Sequence, residues 1–451
     1  MAKPTIILAT SNGIGMGHLA RATAIAIELA PYARPIIVSV AGGIAELPST
    51  TGIACEYIPG KNRGWMARKE WDSYLRDRLL AIAKESGASL ISFDGVVPYP
   101  GFIATKLSQP ALKLVWVRRG LWQKNALRFA LPFQSRLVDR VIEPGDVAHA
   151  YDHGPTSSRK DAHLSAPVSL FRAQSAKSRD EARKILGLDA IKPAVLVQLG
   201  TGDSDMNEKL RAALLGLKSW PDAQIVLTKE PIDTNGDSLV PAGIEVKIVR
   251  YFPLADLLAA FDGAVAATGY NSVHELLPAR IPTVFISNIR GTDDQDARAQ
   301  WCHDFGYALR ANHADLADIT ATVQKLCDSS TRAALSAKCI ELKNTEGGAE
   351  IAQLLLKIVN NQELGRESGV KKLMRLAAVK GLHLATSIYR TVRPQAFAKN
   401  VSSEVPLFSE EVDATFLRTA IKGNRRFEQL IPGASAAYKA QREAIAARVY
   451  R

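Results

Sequence analysis

The feature that most constrains this chain is a pattern that occurs twice. A short apolar run rich in β-branched residues is followed by a glycine-bearing turn and then by a helical segment, first from Thr5–Thr10 and again from Ala194–Leu199. Apolar runs of this length are typical of strands buried on both faces of a parallel sheet. Because strands and helices keep alternating after each copy, the sequence predicts an α/β protein with two tandem Rossmann-like, doubly wound parallel sheets.

The predicted elements give the limits of these domains. The predicted strands are Thr5–Thr10, Pro35–Val40, Leu90–Phe93, Leu112–Val117, Ala194–Leu199, Gln224–Thr228, Glu245–Val249, Gly263–Ala267 and Thr283–Ser287. The predicted helices are Leu19–Leu29, Arg179–Leu186, Ala255–Ala260, Ser272–Pro278 and Gly348–Asn360, the last closing the second domain. The aperiodic stretch 155–179, rich in Ser, Pro, Lys and Arg, is predicted to connect the domains. We therefore expect domains at 1–165 and 166–360, and a basic, mostly helical extension at 361–451.

Composition narrows the class of protein. The chain has 451 residues, of which 47% are hydrophobic and 23% charged, as in globular proteins. Its net charge of +12 indicates an anionic partner without specifying which one. We expect no nucleic-acid partner, because basic residues do not alternate with aromatic ones as in a single-strand groove. The four cysteines are scattered and no apolar run reaches about 18 residues, so we expect a cytoplasmic protein without a membrane-spanning helix.

The first glycine turn contains candidate catalytic residues. Asn12, Gly13, Gly15 and Gly17 form a loop that precedes a helix, where backbone N–H groups favour an anion. The spacing is not that of a dinucleotide fingerprint, and no acidic residue closes the second strand, so NAD is not expected. His18 lies at the carboxyl edge of the sheet, where an imidazole can take a proton from a hydroxyl. The alternative is that this histidine only orders the loop.

A second candidate follows a buried strand. Asp94 comes directly after Leu90–Phe93 and precedes a glycine, so it is expected at the same sheet edge as His18. A carboxylate there can orient the imidazole and stabilise its protonated form. The alternative is a loop aspartate that caps the next turn.

The second domain contains the most informative block of sequence. Its strand ends at Thr268-Gly269, and the helix start that follows, at Asn271-Ser272, offers N–H groups and a hydroxyl to a diphosphate. Glu275 lies one turn further and can accept hydrogen bonds from a ribose diol. Tyr251-Phe252 ends another strand and places an aromatic ring near a nucleobase. The acidic run 293–296 follows the next strand at the same edge.

These residues resemble a known family. Gly269–Asp296 resembles the donor-nucleotide signature of the GT-B glycosyltransferases, most of all family 28, which includes the bacterial enzyme that adds N-acetylglucosamine to a lipid-linked peptidoglycan precursor. The Gly-x-Gly-x-Gly-His turn with Arg21-Ala22 after it is similar to the same group, and the resemblance extends from residue 5 to about 355.

The resemblance implies a set of roles around a cleft between the two domains. Glu275 binds the donor ribose, Phe252 contacts the base, and His18 faces the acceptor hydroxyl. Gly269, Asn271 and Ser272 surround the diphosphate together with Gly200, Thr201 and Gly202 of the second glycine turn, and Asp294 and Gln295 hold the sugar hydroxyls. The family inverts the anomeric configuration by direct displacement without a metal, so we expect neither metal nor cofactor.

Two positions depart from the family pattern. His274 stands where a serine is more usual beside the ribose glutamate, and the turn Gly200–Gly202 has fewer glycines than the Gly-Gly-Ser form. Both leave the donor preference open.

The sequence thus predicts an inverting, metal-independent transfer of a hexose or N-acetylhexosamine from a nucleotide diphosphate sugar, UDP-linked by preference, to an acceptor hydroxyl. Two alternatives stay open: a nucleotide-sugar 2-epimerase of the same architecture, and a non-catalytic nucleotide-binding protein. The acceptor is not identified, although Lys61–Trp71 and Pro98–Phe102 are the expected acceptor loops. The basic segment Val370–Tyr389 is expected either to lie on an anionic membrane, at the inner face, or to pack on the protein with its cations solvated.

Overall fold

Two parallel sheets organise the chain. The structure, a computed structural model, describes residues 3–11, 17–40, 51–58, 68–126, 130–200, 206–228, 240, 243–249, 251–288, 291–342, 346–360 and 369–392. Within them the first sheet has seven strands in the order β3-β2-β1-β4-β5-β6-β7, and the second has six in the order β10-β9-β8-β11-β12-β13. Neighbouring strands pair in parallel throughout both sheets. The predicted fold of two doubly wound α/β sheets is confirmed.

The first sheet and its helices occupy the first part of the chain. Its strands are β1 (Thr5–Thr10), β2 (Arg34–Ser39), β3 (Ala54–Tyr57), β4 (Leu90–Asp94), β5 (Lys113–Val117), β6 (Arg140–Pro144) and β7 (Ala162–Ser165). The helices between them are α1 (Gly17–Leu29), α2 (Arg68–Ser86), α3 (Pro100–Ser108) and α4 (Ala130–Ser135), with a short 3₁₀ helix at His149–Tyr151.

The second sheet repeats the plan. Its strands are β8 (Ala194–Gln198), β9 (Gln224–Thr228), β10 (Val246–Val249), β11 (Gly263–Ala267), β12 (Thr283–Ile286) and β13 (Leu309–Ala311). Its helices are α5 (Arg179–Leu186), α6 (Met206–Leu217), α7 (Tyr270–Leu276), α8 (Gln295–Asp304), α9 (Leu316–Leu326) and α10 (Ser329–Lys338), with 3₁₀ turns at Leu254–Ala260 and Cys339–Glu341. Two helices follow, α11 (Gly347–Val359) and α12 (Gly369–Val392).

Alternation along each strand fills a core on both faces of its sheet. In β1, Ile7 packs in the cluster that includes Trp71 and Phe102 of α2 and α3, whereas Ile6 and Leu8 pack on the other face with α1 and α11. Successive strand residues point to opposite faces, so a strand covered on both sides needs the unbroken apolar run that the sequence has.

Several elements differ from the sequence prediction. The predicted connection 155–179 contains β7, the edge strand of the first sheet, and the short strands β3, β6 and β13 were not predicted. These four strands are short and contain charged or polar residues, so they lack the apolar run used to recognise the others. The helix predicted to close the second domain is α11, and it packs against α1 beside the first sheet.

Helix α12 corrects the prediction for the basic extension. Of the two alternatives, an anionic membrane surface or packing on the protein with solvated cations, the second is confirmed for Met374, Ala378 and Val379, which pack on the first-sheet core, and is wrong for one cation. Arg375 is fully buried, donates from Nε to the carbonyl of Leu137 over 2.7 Å and pairs with Asp139 at 3.0 Å. Ala378 packs beside it, while Leu373 and its neighbours on the opposite face stay exposed. The rest of the extension, 393–451, lies outside the described residues.

Candidate active site

A cavity of about 430 Å³ lies between the carboxyl ends of the two sheets. Ligands of open α/β sheets bind at that edge, and the volume is in the usual range for small-molecule sites. Both halves of the chain contribute lining residues, among them Gly17, His18, Arg21, Arg119, Gly200, Tyr251, Phe252, Gly269, Asn271, Ser272, Glu275, Asn288, Asp293 and Gln295.

His18 and Asp94 meet on the first-sheet side of this cavity. His18 is the second residue of α1 and Asp94 ends β4, the strand next to β1, so the topology brings their side chains to one edge. The imidazole Nδ1 lies 2.6 Å from Asp94 Oδ1. Arg21, one turn after His18, donates to the same carboxylate from Nε at 2.9 Å and from Nη2 at 2.5 Å. The predicted pair is thus assembled, with an arginine added.

The electrostatics of this group fix the histidine tautomer. Burial by itself would raise the pKa of Asp94, but the charge of Arg21 and the hydrogen bond from His18 outweigh it and lower that pKa to about 2. An ionised carboxylate only accepts, so Nδ1 of His18 donates and Nε2 keeps its lone pair. Burial also lowers the pKa of His18 below its ordinary value, with Asp94 acting against that effect. At neutral pH His18 is therefore a neutral imidazole able to take a proton at Nε2.

Glu275 dominates the opposite side of the cavity. It lies on α7, and its carboxylate makes no hydrogen bond or ion pair to any residue that the structure describes. Burial, with a smaller contribution from the charge of Asp256, raises its pKa to about 8. A half-buried carboxylate without a partner is costly unless something donates to it. Its role as the ribose contact stays a prediction.

The start of α7 lies beside Glu275. Gly269 is the N-cap residue with extended backbone, and Asn271 and Ser272 follow in the first turn. All three line the cavity. The amide of Asn271 donates from Nδ2 to the carbonyl of Gly17 across the cleft at 3.1 Å, while its Oδ1 is buried without a partner. This end of the helix therefore faces the start of α1 at Gly17.

The aromatic and glycine positions fall around the same cavity. Phe252 is buried and Tyr251 half exposed, and both line it, as does Gly200 in a left-handed conformation with φ of 80°. Asn12, Gly13, Gly15, Thr201 and Gly202 lie outside the described residues.

The two residues predicted to hold the sugar are placed differently. Gln295 lines the cavity, and its Oε1 accepts from the backbone N–H of Asn288 at 2.9 Å. Asp294 is the N-cap of α8, where its carboxylate accepts from Ala297 N–H at 3.0 Å, and it is not among the lining residues. The neighbouring Asp293 lines the cavity instead.

His274, the departure from the family pattern, lies outside the cavity. It is fully buried, with Nδ1 donating to the carbonyl of Tyr270 at 2.7 Å and Nε2 accepting from Val147 N–H at 3.2 Å. Burial lowers its pKa to about 4, so the ring is neutral. The hydroxyl of Tyr270 continues this contact between the sheets by donating to Gly145 at 2.8 Å. His274 thus joins the two halves and makes no contact inside the cavity.

Part of the predicted acceptor region belongs to the core. Trp71 and Phe102 are completely buried, and Trp71 packs edge-on against Tyr99 with ring centroids 5.2 Å apart. Residues 61–67 lie outside the described residues. The ends of both predicted segments therefore support α2 and α3.

Three lining residues were given no role from the sequence. In the sequence Arg21 appears only as part of the glycine-turn motif, although its position three residues after His18 on a helix places both on one face. Arg119 and Asp293 meet across the cleft at 3.1 Å. Because they come from distant parts of the chain, no local pattern could have paired them.

The described residues contain neither a cluster of metal ligands nor a membrane-spanning helix. No group of three or more His, Cys, Asp or Glu side chains is arranged there to hold a metal ion. None of the helices in the described part of the chain is long and apolar enough to cross a bilayer.

Comparison with known proteins adds relatives in sequence and in fold. No family model matches the chain. It is similar to UDP-N-acetylglucosamine–N-acetylmuramyl-(pentapeptide) pyrophosphoryl-undecaprenol N-acetylglucosamine transferases from two bacteria. The one from Nocardioides sp. is 26% identical over 277 residues, which are 60% of this chain and 72% of the relative. The one from Geobacillus thermodenitrificans is 30% identical over 192 residues, which are 41% of this chain and 51% of the relative.

Solved structures share the fold at low identity. The glycosyltransferase of kitacinnamycin aligns with a TM-score of 0.54 and 16% identity, covering 80% of this chain and all of that one. Phytolacca americana UGT2, bound to UDP-2-fluoro-glucose and pterostilbene, aligns with a TM-score of 0.56 and 14% identity over 80% of this chain and 99% of its own.

Two parallel sheets that face each other across a cleft define the fold: the chain has the GT-B architecture of the solved glycosyltransferases with which it aligns. Its sequence relatives are N-acetylglucosaminyltransferases of family 28, so the predicted resemblance is confirmed.

Proposed function

We propose that this glycosyltransferase transfers a hexose or N-acetylhexosamine from a UDP-linked donor to an acceptor hydroxyl by single displacement with inversion. The observation that supports it best is the arrangement of the cavity: a neutral histidine oriented by a carboxylate on one side, and an unpaired glutamate beside a helix start on the other.

The chemistry follows from these positions. The acceptor hydroxyl oxygen bonds to the anomeric carbon as its proton passes to Nε2 of His18, and Asp94 stabilises the imidazolium that forms. The bond from the anomeric carbon to the phosphate oxygen breaks, and its electron pair leaves with UDP. Attack from the side opposite the leaving group inverts the configuration. N–H groups near Gly269 and Ser272 stabilise the diphosphate, together with the guanidinium groups that line the cavity, Arg21 and Arg119. The reaction therefore requires no metal.

The donor assignment uses both the site and the relatives. Glu275 accepts the ribose diol, the ring of Phe252 lies against the base, and Gln295 contacts the sugar. Both sequence relatives are transferases that use UDP-N-acetylglucosamine, which makes that sugar nucleotide the first to test.

The acceptor is proposed to be lipid-linked. Both relatives act on an undecaprenol-linked substrate. On α12 the residues opposite the buried Arg375 are exposed, with Val370 and Leu373 each 68% exposed beside Lys372. The 24 residues of α12 include no aspartate or glutamate. Such a face is suited to an anionic bilayer, where each cation near the surface contributes about 1 kcal/mol.

A donor and acceptor screen tests the transfer. Purified protein is incubated with UDP-N-acetylglucosamine, other UDP-sugars and lipid extracts, and products are analysed by mass spectrometry and by NMR of the new anomeric centre. A β-linked product from an α-linked donor, formed equally with a chelator present, supports the proposal. An epimerised sugar nucleotide formed without acceptor indicates the 2-epimerase instead, and neither product with any donor contradicts both.

Vesicle binding tests the membrane contact. The full-length Leu373→Ser/Leu376→Ser double variant is compared with Leu164→Ser/Leu316→Ser, which changes two leucines exposed elsewhere. We expect wild type and the control pair to sediment with anionic vesicles and to be released by salt, and the α12 variant to stay in solution. Equal sedimentation of all three removes α12 from the membrane contact.

A further inference from the structure

Two adjacent arginines at the end of β5 have different environments. Arg118 is completely buried and pairs with Glu143 at 2.6 Å. Arg119 lines the cavity, its side chain is 16% exposed, and its Nη1 lies 3.1 Å from Asp293 Oδ1 on the other side of the cleft. Arg118 therefore belongs to the first sheet's interior, and Arg119 belongs to the cleft.

Asp293 is shared between two guanidinium groups. Arg298 donates from Nη2 to the same Oδ1 at 2.8 Å, from Nη1 to the carbonyl of Thr268 at 2.8 Å and from Nε to Asp146 at 3.0 Å. Burial by itself would raise the pKa of Asp293, but the charges of Arg119 and Arg298 hold it well below its ordinary range. A continuous row of alternating charges, Arg119–Asp293–Arg298–Asp146, thus crosses between the two sheets.

Backbone pairing fixes the cavity end of this row. The N–H of Gln123 donates to Thr292 at 2.8 Å, and the N–H of Asp294 donates to Leu121 at 3.0 Å. The segment that follows Arg119 is thereby paired with the segment that contains Asp293. The ion pair between Arg119 and Asp293 therefore joins two segments whose backbones are already hydrogen-bonded to each other.

The charge on Arg119 is only partly compensated at the cavity. Its carboxylate partner is shared with Arg298, and among the described residues Asp293 is the one acidic partner for the five N–H donors of Arg119. Arg119 also acts on His18, because its charge is one of the causes that lower the pKa of that imidazole. A guanidinium that has donors unused by the described residues, and that lines the same cavity as His18, fits the planar oxygen pairs of a phosphate.

We propose that Arg119 binds a phosphate group in the cleft, held in place by Asp293. This inference rests on the proposed function, because a nucleotide diphosphate supplies the phosphate. The group is either the leaving diphosphate of the donor or a phosphate carried by the acceptor. Arg119 comes from the first sheet, so either way it links the acceptor half of the protein to an anion in the cleft.

Calorimetry with UDP, uridine and inorganic pyrophosphate tests this without an identified acceptor. Arg119→Gln is compared with Arg211→Gln, which removes the same charge from the exposed surface of α6. If the donor diphosphate is the ligand, Arg119→Gln weakens UDP binding about tenfold or more, the scale of a charged hydrogen bond, and leaves uridine binding unchanged. Arg119→Lys recovers part of the loss, because it restores the charge without the fork.

Pyrophosphate distinguishes the two sources of phosphate. Both proteins are first saturated with UDP and then titrated with pyrophosphate. If wild type still binds pyrophosphate and Arg119→Gln does not, Arg119 is assigned to an acceptor phosphate. Unchanged UDP and pyrophosphate binding in Arg119→Gln, with a melting temperature near wild type, overturns the inference. If the glutamine variant does not fold, the same titrations of Arg119→Lys decide: affinities identical to wild type for both anions overturn it. Wild type that binds pyrophosphate through Arg119 but not UDP contradicts the proposed donor and leaves the phosphate site standing.

Discussion

The two sides of the cleft differ in how completely their polar groups are paired. On the first-sheet side, the carboxylate of Asp94 has three close donors from His18 and Arg21. On the second-sheet side, the carboxylate of Glu275 has none among the described residues, and its pKa is raised to about 8. One carboxylate is thus ionised and fixed, and the other is protonated for much of the time at neutral pH.

This difference indicates a division of labour. A base must already be oriented when the substrate arrives, so its hydrogen bonds are made within the protein. A carboxylate that binds the ligand can lack hydrogen-bond donors in the free protein and receive them from the ligand. The hydrogen bonds that it then makes contribute to the free energy of binding. Substitutions of His18 and Asp94 should therefore affect turnover, and substitutions of Glu275 should affect affinity.

The largest effect is expected from His18→Ala. Loss of the base should lower turnover by roughly 10²–10⁴-fold and leave UDP affinity near wild type, because the imidazole acts only in the transfer step. Steady-state kinetics and UDP calorimetry measure the two quantities. His163→Ala, which removes an exposed histidine from β7, is the matched control. Wild-type turnover in His18→Ala would show that this histidine only shapes the loop.

Asp94→Asn should give a smaller loss of turnover, about 10–150-fold, since it removes a hydrogen bond to a charged group and keeps the shape. Asp94 acts to raise the pKa of His18, against burial. Its neutralisation should therefore lower the His18 pKa further and move the acid limb of the rate to lower pH. NMR titration of the His18 ring checks the shift, and a pKa that rises in the variant contradicts the orienting role.

On the other side, Glu275→Ala should weaken UDP binding by about 1.5–3 kcal/mol, the scale of a hydrogen bond to a charged group. Turnover at saturating donor should change far less, in contrast with His18→Ala. Calorimetry is compared with Glu208→Ala, an exposed glutamate of α6. Unchanged UDP affinity in a folded Glu275→Ala protein removes the ribose assignment.

The sequence was informative wherever function depends on one end of one strand. Asp94 and His18 could be placed together because parallel strands β1 and β4 share an edge of the first sheet. Glu275 could be placed in the cavity because it lies one turn into a helix that starts at the corresponding edge of the second sheet. The complete burial of β1 also follows from its unbroken apolar run. In these cases a local pattern and the topology of the sheet together determine where a side chain lies.

The residues that the sequence could not provide are those that join the two halves. Arg298 and Asp146 are 152 positions apart and read as ordinary surface charges until the sheets are docked. The same holds for Arg375 of α12. In the sequence it is one of several cations expected to be solvated, whereas in the structure it is completely buried and paired with Asp139. Long-range pairing of charges depends on tertiary packing, which hydrophobic periodicity does not encode.

The smallest effect we expect is the pH dependence of donor binding, which tests the contrast directly. The ribose diol donates to a carboxylate, so UDP should favour the ionised form of Glu275, whose pKa in the free protein is about 8. About one tenth of the protein has this group ionised at pH 7, against about nine tenths at pH 9, so UDP should bind about tenfold tighter at pH 9. The sign follows because a raised pKa favours the protonated, unliganded state, and ligand binding must release that proton.

Calorimetry in buffers of different ionisation enthalpy measures both the affinity and the released proton. Glu275→Gln should bind more weakly and show neither the proton release nor the rise above pH 7. If wild type and Glu275→Gln respond to pH alike, the titrating group lies elsewhere, and UDP does not donate hydrogen bonds to Glu275.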